Sequence, residues 1–159
     1  MKIYYKEWTQ HLPISLDEAW AFFSRPENLN ELTPKDMSFE ILTDIKGKPM
    51  YQGMLTRYKI VPMNKLKMNG WTETTHSRDR KDFNDEKRLG TYDLWHHENH
   101  LQAVDGGTLM RDELDYAIPY GPIGQLANAI FVGNKVEVIF EFRNQAIEQL
   151  FGMPKAVTA

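Results

Sequence analysis

The spacing of apolar positions changes along the chain, and each change predicts a different element. Lys2 to Leu12 is rich in Tyr, Trp, Ile and Thr, the composition of a strand, and Pro13 ends it. Ser15-Leu16-Asp17-Glu18 has the Ser-x-x-Glu spacing of a capping box, in which each side chain satisfies an orphan amide at a helix start. Asp17 and Glu18 also suit the positive end of the helix dipole. Leu16, Ala19, Trp20 and Phe23 then recur at helical spacing. Pro26 stops that helix after about two turns, and a second short helix is expected from Pro26 to Leu32, closed by Thr33-Pro34.

From there to Ile118 the pattern is extended. Strands are expected at Ser38–Thr43, Tyr51–Val61, Leu66–Ser77, Asp82–Arg88, Thr91–Gln102 and Thr108–Ile118. The breaks between them carry turn residues: Lys46-Gly47-Lys48-Pro49, Pro62-Met63-Asn64, Leu89-Gly90 and Asp105-Gly106-Gly107. Strands joined by such short breaks are antiparallel neighbours. The period changes again after Tyr120-Gly121-Pro122, a turn with proline at a helix start. Val132, Val136, Ile139, Phe140, Arg143, Ile147 and Leu150 follow 3- and 4-residue spacing. Val136–Phe142 taken alone also suits a strand. The helical period continues to Leu150, however, and Gly152 is a natural stop, so one helix over Pro122–Leu150 is the reading. A long helix must bury its apolar stripe on the curved sheet, and a cavity opens wherever the sheet curves away.

Composition narrows the function classes. The chain has 159 residues, a size for one domain that needs no metal or disulfide staple. It has no cysteine, which excludes a disulfide framework, a zinc–thiolate site, an iron–sulfur cluster and a cysteine nucleophile. Its net charge of −3 argues against nucleic-acid binding, which needs a basic stripe. Aromatic residues make up 12%, a generous supply of large apolar surface for a pocket wall. No apolar run approaches the ~20 residues of a membrane span, and the N-terminus has no apolar leader core, so a cytoplasmic protein is expected. Residues 1–152 are expected to form one domain and 153–159 a flexible tail.

The element order resembles the helix-grip fold of the START-like, SRPBCC superfamily, an α+β arrangement. Particular residues resemble its bacterial polyketide cyclase/dehydrase-like, ligand-binding branch. These are Leu29-x-x-Leu32-Thr33-Pro34, Trp71, Phe83-x-Asp85 and Gly90-x-Tyr92-x-x-Trp95-x-His97. Gly106-Gly107-Thr108, Asp112, Tyr116-x-x-Pro119, Gly121-Pro122-Ile123-Gly124 and Phe142-Arg143 belong to the same set. The match runs from about Tyr4 to Phe151. Two positions depart from the family pattern. Asn99 stands where a second histidine often occurs, and Leu101 where an aromatic is common. The resemblance implies a sheet of about seven strands, two short helices after the first, a long C-terminal helix over the sheet, and a pocket for a hydrophobic or amphipathic molecule. It does not imply one activity.

Strand alternation places the polar candidates. On the hairpin Thr91–Ile118, Trp95, His97, Asn99 and Leu101 share one face, as do Met110, Asp112, Leu114, Tyr116 and Ile118. These sets are the more apolar and are expected inside. A two-residue turn at Asp105-Gly106 sets Asn99 opposite Asp112, His97 opposite Leu114 and Trp95 opposite Tyr116. A turn at Val104-Asp105 sets His97 opposite Asp112 instead and keeps the same inner face. Trp71, Glu73 and Thr75 share a face of their strand, and Phe83, Asp85 and Lys87 share one of theirs. Glu73 and Asp85 are expected to point to water near a sheet end. The expected pocket wall is Trp71, Phe83, Trp95, His97, Asn99, Met110, Asp112, Leu114 and Tyr116. His97, Asn99 and Asp112 would be either a structural network or the anchor for a ligand's polar end, and His97 and Asp112 are the acid/base candidates.

His96, Glu98 and His100 align on the opposite face at spacing two, a pattern able to hold zinc. A solvated outer face is the simpler account, and no metal and no cofactor are expected. No phosphate-binding glycine loop and no nucleophilic serine elbow are present. The first function class is binding or carriage of a hydrophobic or amphipathic small molecule. The second is a small cyclase, dehydratase or hydrolase. The third is a protein-interaction module whose cleft receives a partner segment. A His97–Asp112 contact open to a cavity favours the second, a wholly apolar cavity the first, and a shallow groove the third.

Overall fold

The computed structural model describes residues 1–37, 39–45, 47–60, 68–90 and 92–153, with Met68 by its backbone alone. Short connections make sequence neighbours into sheet neighbours. Strands β2 (Glu40–Ile41), β3 (Met54–Ile60), β4 (Met68–Arg78), β5 (Asp82–Leu89), β6 (Leu94–Val104) and β7 (Gly107–Ala117) run antiparallel in chain order. The N-terminal strand β1 (Tyr4–Leu12) pairs with β7 and closes the other edge, giving a seven-stranded sheet. Register between β6 and β7 follows the Asp105-Gly106 turn: Asn99 faces Asp112, His97 faces Leu114 and Trp95 faces Tyr116. Gly106 takes φ +80° in that turn, a conformation that costs other residues more than glycine.

The helices follow their sequence signals. Helix α1 (Leu16–Phe23) has the expected capping box, with the Glu18 amide donating to the Ser15 hydroxyl and the Ser15 amide to the Glu18 carboxylate. After it comes a 3-10 turn, Pro26–Asn30, shorter and tighter than the expected helix to Leu32, and a second at Lys35–Met37. The C-terminal segment is helical from Gly121 to Phe151, as α2 (Gly121–Ala127), a π turn (Asn128–Val132) and α3 (Gly133–Phe151). The stretch Val136–Phe142 is therefore helix. Ser38, Lys46, Thr91, the expected turn at Pro62-Met63-Asn64 with its flanking strand ends, and the tail beyond Met153 lie outside the described residues.

Contacts between helix and sheet are uneven, and this positions the site. Over β1 and β7 the helix packs directly. Trp8 stacks on Phe140 with centroids 3.7 Å apart, Lys6 pairs with Glu137, and Gln10 Nε2 donates to the Asn144 carbonyl at 3.0 Å. Leu114, Tyr116, Val136 and Phe140 form one buried cluster there. A second cluster, around Leu12, Phe23, Leu32, Phe83, Leu101, Met110 and Ile147, fills the end beneath α1. On the far side, register shifts between β4 and β5 at Trp71/Thr72 and Thr74/His76 break the ladder. Such bulges bend a strand and sharpen its twist. The sheet curls away from the helix at that point, and the space between them is not filled.

Candidate functional site

That space is a cavity of about 300 Å³. Its floor is the inner face of β3, β4 and β5. Its roof is Pro26 and Leu29 of the first 3-10 turn, Met37 of the second and Phe39. Its far wall is Ile118, Val132 and Ile139. The lining is mostly apolar and aromatic, as ligand pockets are, with few polar groups. Of those, Asp85, Lys87 and His97 sit on sheet strands, and Lys135 on α3 pairs with Asp36 at 3.6 Å. A recess of about 20 Å³ opens beside it, reaching Phe83, Asn99 and Arg143.

The predicted wall is corrected in three ways. Trp71 lies on the outer face and is 43% exposed; the inner face of β4 is carried by Gly70, Thr72 and Thr74. A cavity wall needs small side chains there, so the bulky apolar residue marked the wrong face. Glu73 shares the outer face and pairs with Arg88 at 2.8 Å. Asp85, expected to face water, faces the cavity and accepts from the Thr74 hydroxyl at 3.0 Å. Met110, Asp112, Leu114 and Tyr116 are on the inner face as expected, but lie buried under the helix and do not line the cavity. Of the nine residues expected on the wall, Trp95 and His97 line the main cavity; Phe83 and Asn99, with His97, line the recess.

Behind His97 the three polar candidates meet a fourth residue. His97 Nε2 lies 3.0 Å from Asp112 Oδ1, and Arg143 Nη2 lies 3.1 Å from the same oxygen and 2.8 Å from Asn99 Oδ1. Burial alone would push the Asp112 carboxyl up, but the Arg143 guanidinium and the His97 hydrogen bond outweigh it and hold it below the usual carboxylate range. An ionised carboxylate only accepts, so His97 Nε2 carries the proton in this pair and Nδ1 is the imidazole's remaining polar atom. The Arg143 guanidinium lies over the Phe23 and Phe140 rings at 5.7 and 6.0 Å. Asp112 Oδ2 and Arg143 Nε are buried without a partner among the described residues. The helical period marks Arg143 as inward-facing; nothing in the pattern shows that it meets Asp112.

Asp85 and Lys87 carry opposite shifts for one reason. Burial penalises charge, so it pushes the Asp85 carboxyl up against the opposing pull of His97, Thr74 and Arg143, and pushes the Lys87 amine down to about 8. The same effect raises the Tyr92 hydroxyl to about 12. Alternation already set Lys87 on the face of Phe83 and Asp85. Its surroundings depend on Tyr92, which precedes β6 and has no periodic signal.

The outer face holds the histidine row. Glu98 bridges His96 at 2.8 Å and His100 at 3.0 Å; His96 also meets Glu86 at 3.3 Å.

No family model matches the sequence, and no curated protein matches it. Solved structures do resemble the fold. Protein CV1439 from Chromobacterium violaceum superposes with a TM-score of 0.71 at 10% identity, over 93% of this chain and 96% of that one. A START superfamily protein from Mycobacterium smegmatis gives 0.65 at 13%, over 93% and 98%. Ara h 8.0201 gives 0.58 at 15%, over 93% and 99%. At such identities the likeness speaks for architecture alone, and with the seven-stranded sheet gripping one long helix it shows that this chain has the START-like, SRPBCC helix-grip fold.

Proposed function

We propose that the chain binds a hydrophobic or amphipathic small molecule in the cavity between β3–β5 and the helical roof. The observation that carries this is the unfilled, mostly apolar space of about 300 Å³ in an otherwise packed fold. Protein interiors are close-packed, so a mostly apolar cavity of this size that no side chain fills is a place where a ligand can bury apolar surface. Trp95 and the apolar residues of the roof would hold the ligand's body, and His97 would meet a polar group through Nδ1. Phe83 and Asn99 would meet whatever reaches the recess. Asp112 and Arg143 would act through His97 by fixing its tautomer and ring orientation. Native mass spectrometry of protein purified without added ligand, followed by solvent extraction, tests this. A stoichiometric apolar adduct is expected. No adduct, with no thermal shift from a panel of hydrophobic small molecules, would overturn it.

One observation favours a second reading, a small enzyme of the cyclase, dehydratase or hydrolase type. His97 borders the cavity and is oriented by an ionised carboxylate, as a general base needs. His97→Gln distinguishes the two. A binder loses some affinity, whereas an enzyme keeps its substrate and loses turnover.

A further inference from the structure

Lys87 is an unusual group to find on an apolar wall. It lines the cavity, and its Nζ lies 4.9 Å from the Tyr92 ring centroid and 4.8 Å from that of Trp95. Among the described residues no carboxylate comes within ion-pair distance of it. The other basic residue on this wall, Lys135, is paired with Asp36. Asp85, two residues along the same strand face, is turned to the Thr74 hydroxyl. Lys87 is partly buried, and an ammonium withdrawn from water is costly without a counter-charge, of which the two ring faces supply only part.

We infer that Lys87 is the recognition group for an acidic ligand, and that the cavity takes a hydrophobic monocarboxylic acid whose carboxylate pairs with Nζ between Tyr92 and Trp95. This rests on the reading of the cavity as a ligand site and deepens it by naming the ligand's charge. One compact cation with rotatable donors suits a single negative charge. Most of the remaining lining, including Leu29, Met37, Ile60, Ile118 and Ile139, offers apolar contacts to the body of the acid. The space corresponds to about ten water molecules, which suits a medium-length alkyl chain or a fused bicyclic ring.

The charged and titratable groups that share the cavity with Lys87 are Tyr58 on β3, Asp85 on β5, Tyr92 before β6, His97 on β6 and Lys135 on α3. Burial pushes Tyr58 and Tyr92 up, so neither adds negative charge near neutrality; burial also pushes the Asp85 carboxyl up, and that carboxyl accepts from the Thr74 hydroxyl and makes no ion pair with Lys87 among the described residues. With its amine pushed down to about 8, Lys87 is still about nine-tenths protonated at pH 7. Raising the pH to 9 leaves about a tenth protonated, and an acid's affinity should fall about tenfold.

Matched probes test this: naphthalene-2-carboxylate against naphthalene-2-carboxamide, and octanoate against octanamide, titrated calorimetrically into the full chain after removal of any co-purified molecule. The acid of each pair is expected to bind at least about tenfold tighter at pH 7, and that margin should shrink at pH 9. Lys87→Met, which keeps the stem and its ring contacts, should erase the margin while leaving the amides within about twofold; Lys87→Gln serves if the methionine variant does not fold. Amides binding as tightly as acids, or a margin that survives both variants and the pH change, would overturn the inference and leave the hydrophobic-ligand reading standing. If no probe binds and no molecule co-purifies, the ligand-site reading falls and this inference falls with it.

Discussion

Replacing Arg143 by methionine isolates what holds a carboxylate ionised in the core. Asp112 has no solvent exposure, and Arg143 Nη2 lies 3.1 Å from its Oδ1. At an effective dielectric of about 20, Coulomb's law puts the attraction at about 5 kcal/mol. Methionine also removes the desolvation cost of the guanidinium, so the net loss falls in the range of about 3–5 kcal/mol found when one partner of a buried pair is deleted. Asp112 Oδ2 already lacks a partner among the described residues, leaving His97 as the carboxylate's one side-chain hydrogen-bond partner among them. The pH dependence should change sign. In the native chain the Asp112 carboxyl is held below its ordinary value, so its contribution is present above that value and is lost as pH falls through the lower folded one. Without Arg143, burial dominates and lifts it above the ordinary value, so the variant should lose stability as pH rises through that range. Urea unfolding across about pH 4 to 8 reads both effects. Adding Asp112→Asn to Arg143→Met should restore at least about 2 kcal/mol, since the neutral amide needs no counter-charge. A loss below about 1 kcal/mol, or a double variant no more stable than Arg143→Met, would refute the account.

Gly70 sits against the Tyr58 ring, and a Cβ there would overlap it. Because Tyr58 is backed by Phe39 at 4.9 Å, Gly70→Ala should push the ring into the cavity, cost about 1–3 kcal/mol and shorten the best-binding alkyl acid by at least a methylene; an unchanged chain-length series in calorimetry would contradict this. On the outer face, burial works against a charged His96, but Glu98 and Glu86 outweigh it and raise its pKa, while His96 first and His100 with it lower that of Glu98. The His96 contribution is therefore complete below about pH 6.5 and lost as pH rises through the folded value; that of Glu98 is present above about pH 4.5 and lost as pH falls through its own. The stability difference between the native chain and His96→Gln should peak between about pH 4.5 and 6.5, and a difference that stays flat to pH 9 would refute it.

Local rules carried much of the architecture. The Ser15–Glu18 box, the Asp105-Gly106 turn and the helical period through Leu150 each act over a few residues, and each appears as expected. The hairpin register then brought His97, Asn99 and Asp112 to one face. The cavity was harder to read because it is an absence of packing. It forms where the β4–β5 ladder shifts register, and no such shift is visible in an alternating pattern. The β4 part of its wall is marked by small residues, Gly70 and Thr72, while the large apolar residues Leu114 and Tyr116 of β7 go to the closed side under the helix. Arg143 looked like part of an amphipathic stripe because period reports direction, whereas its meeting with Asp112 spans 31 positions of chain.

The π turn divides the gripping helix into two rods joined out of phase. Each residue advances an α-helix by about 100°, so one extra residue in a turn offsets everything before it from everything after it. On one side of the joint Val136, Phe140 and Ile147 face the sheet; on the other, Ile123 is 74% and Leu126 62% exposed. The joint is pinned where the Tyr116 hydroxyl donates to Asn128 Oδ1 at 3.1 Å. The compass bearing of the leading segment is thus a matter of counting. Deleting a single residue between Asn128 and Val132 would swing Ile123 and Leu126 by roughly a quarter-turn about the axis, with no change in the composition of either rod.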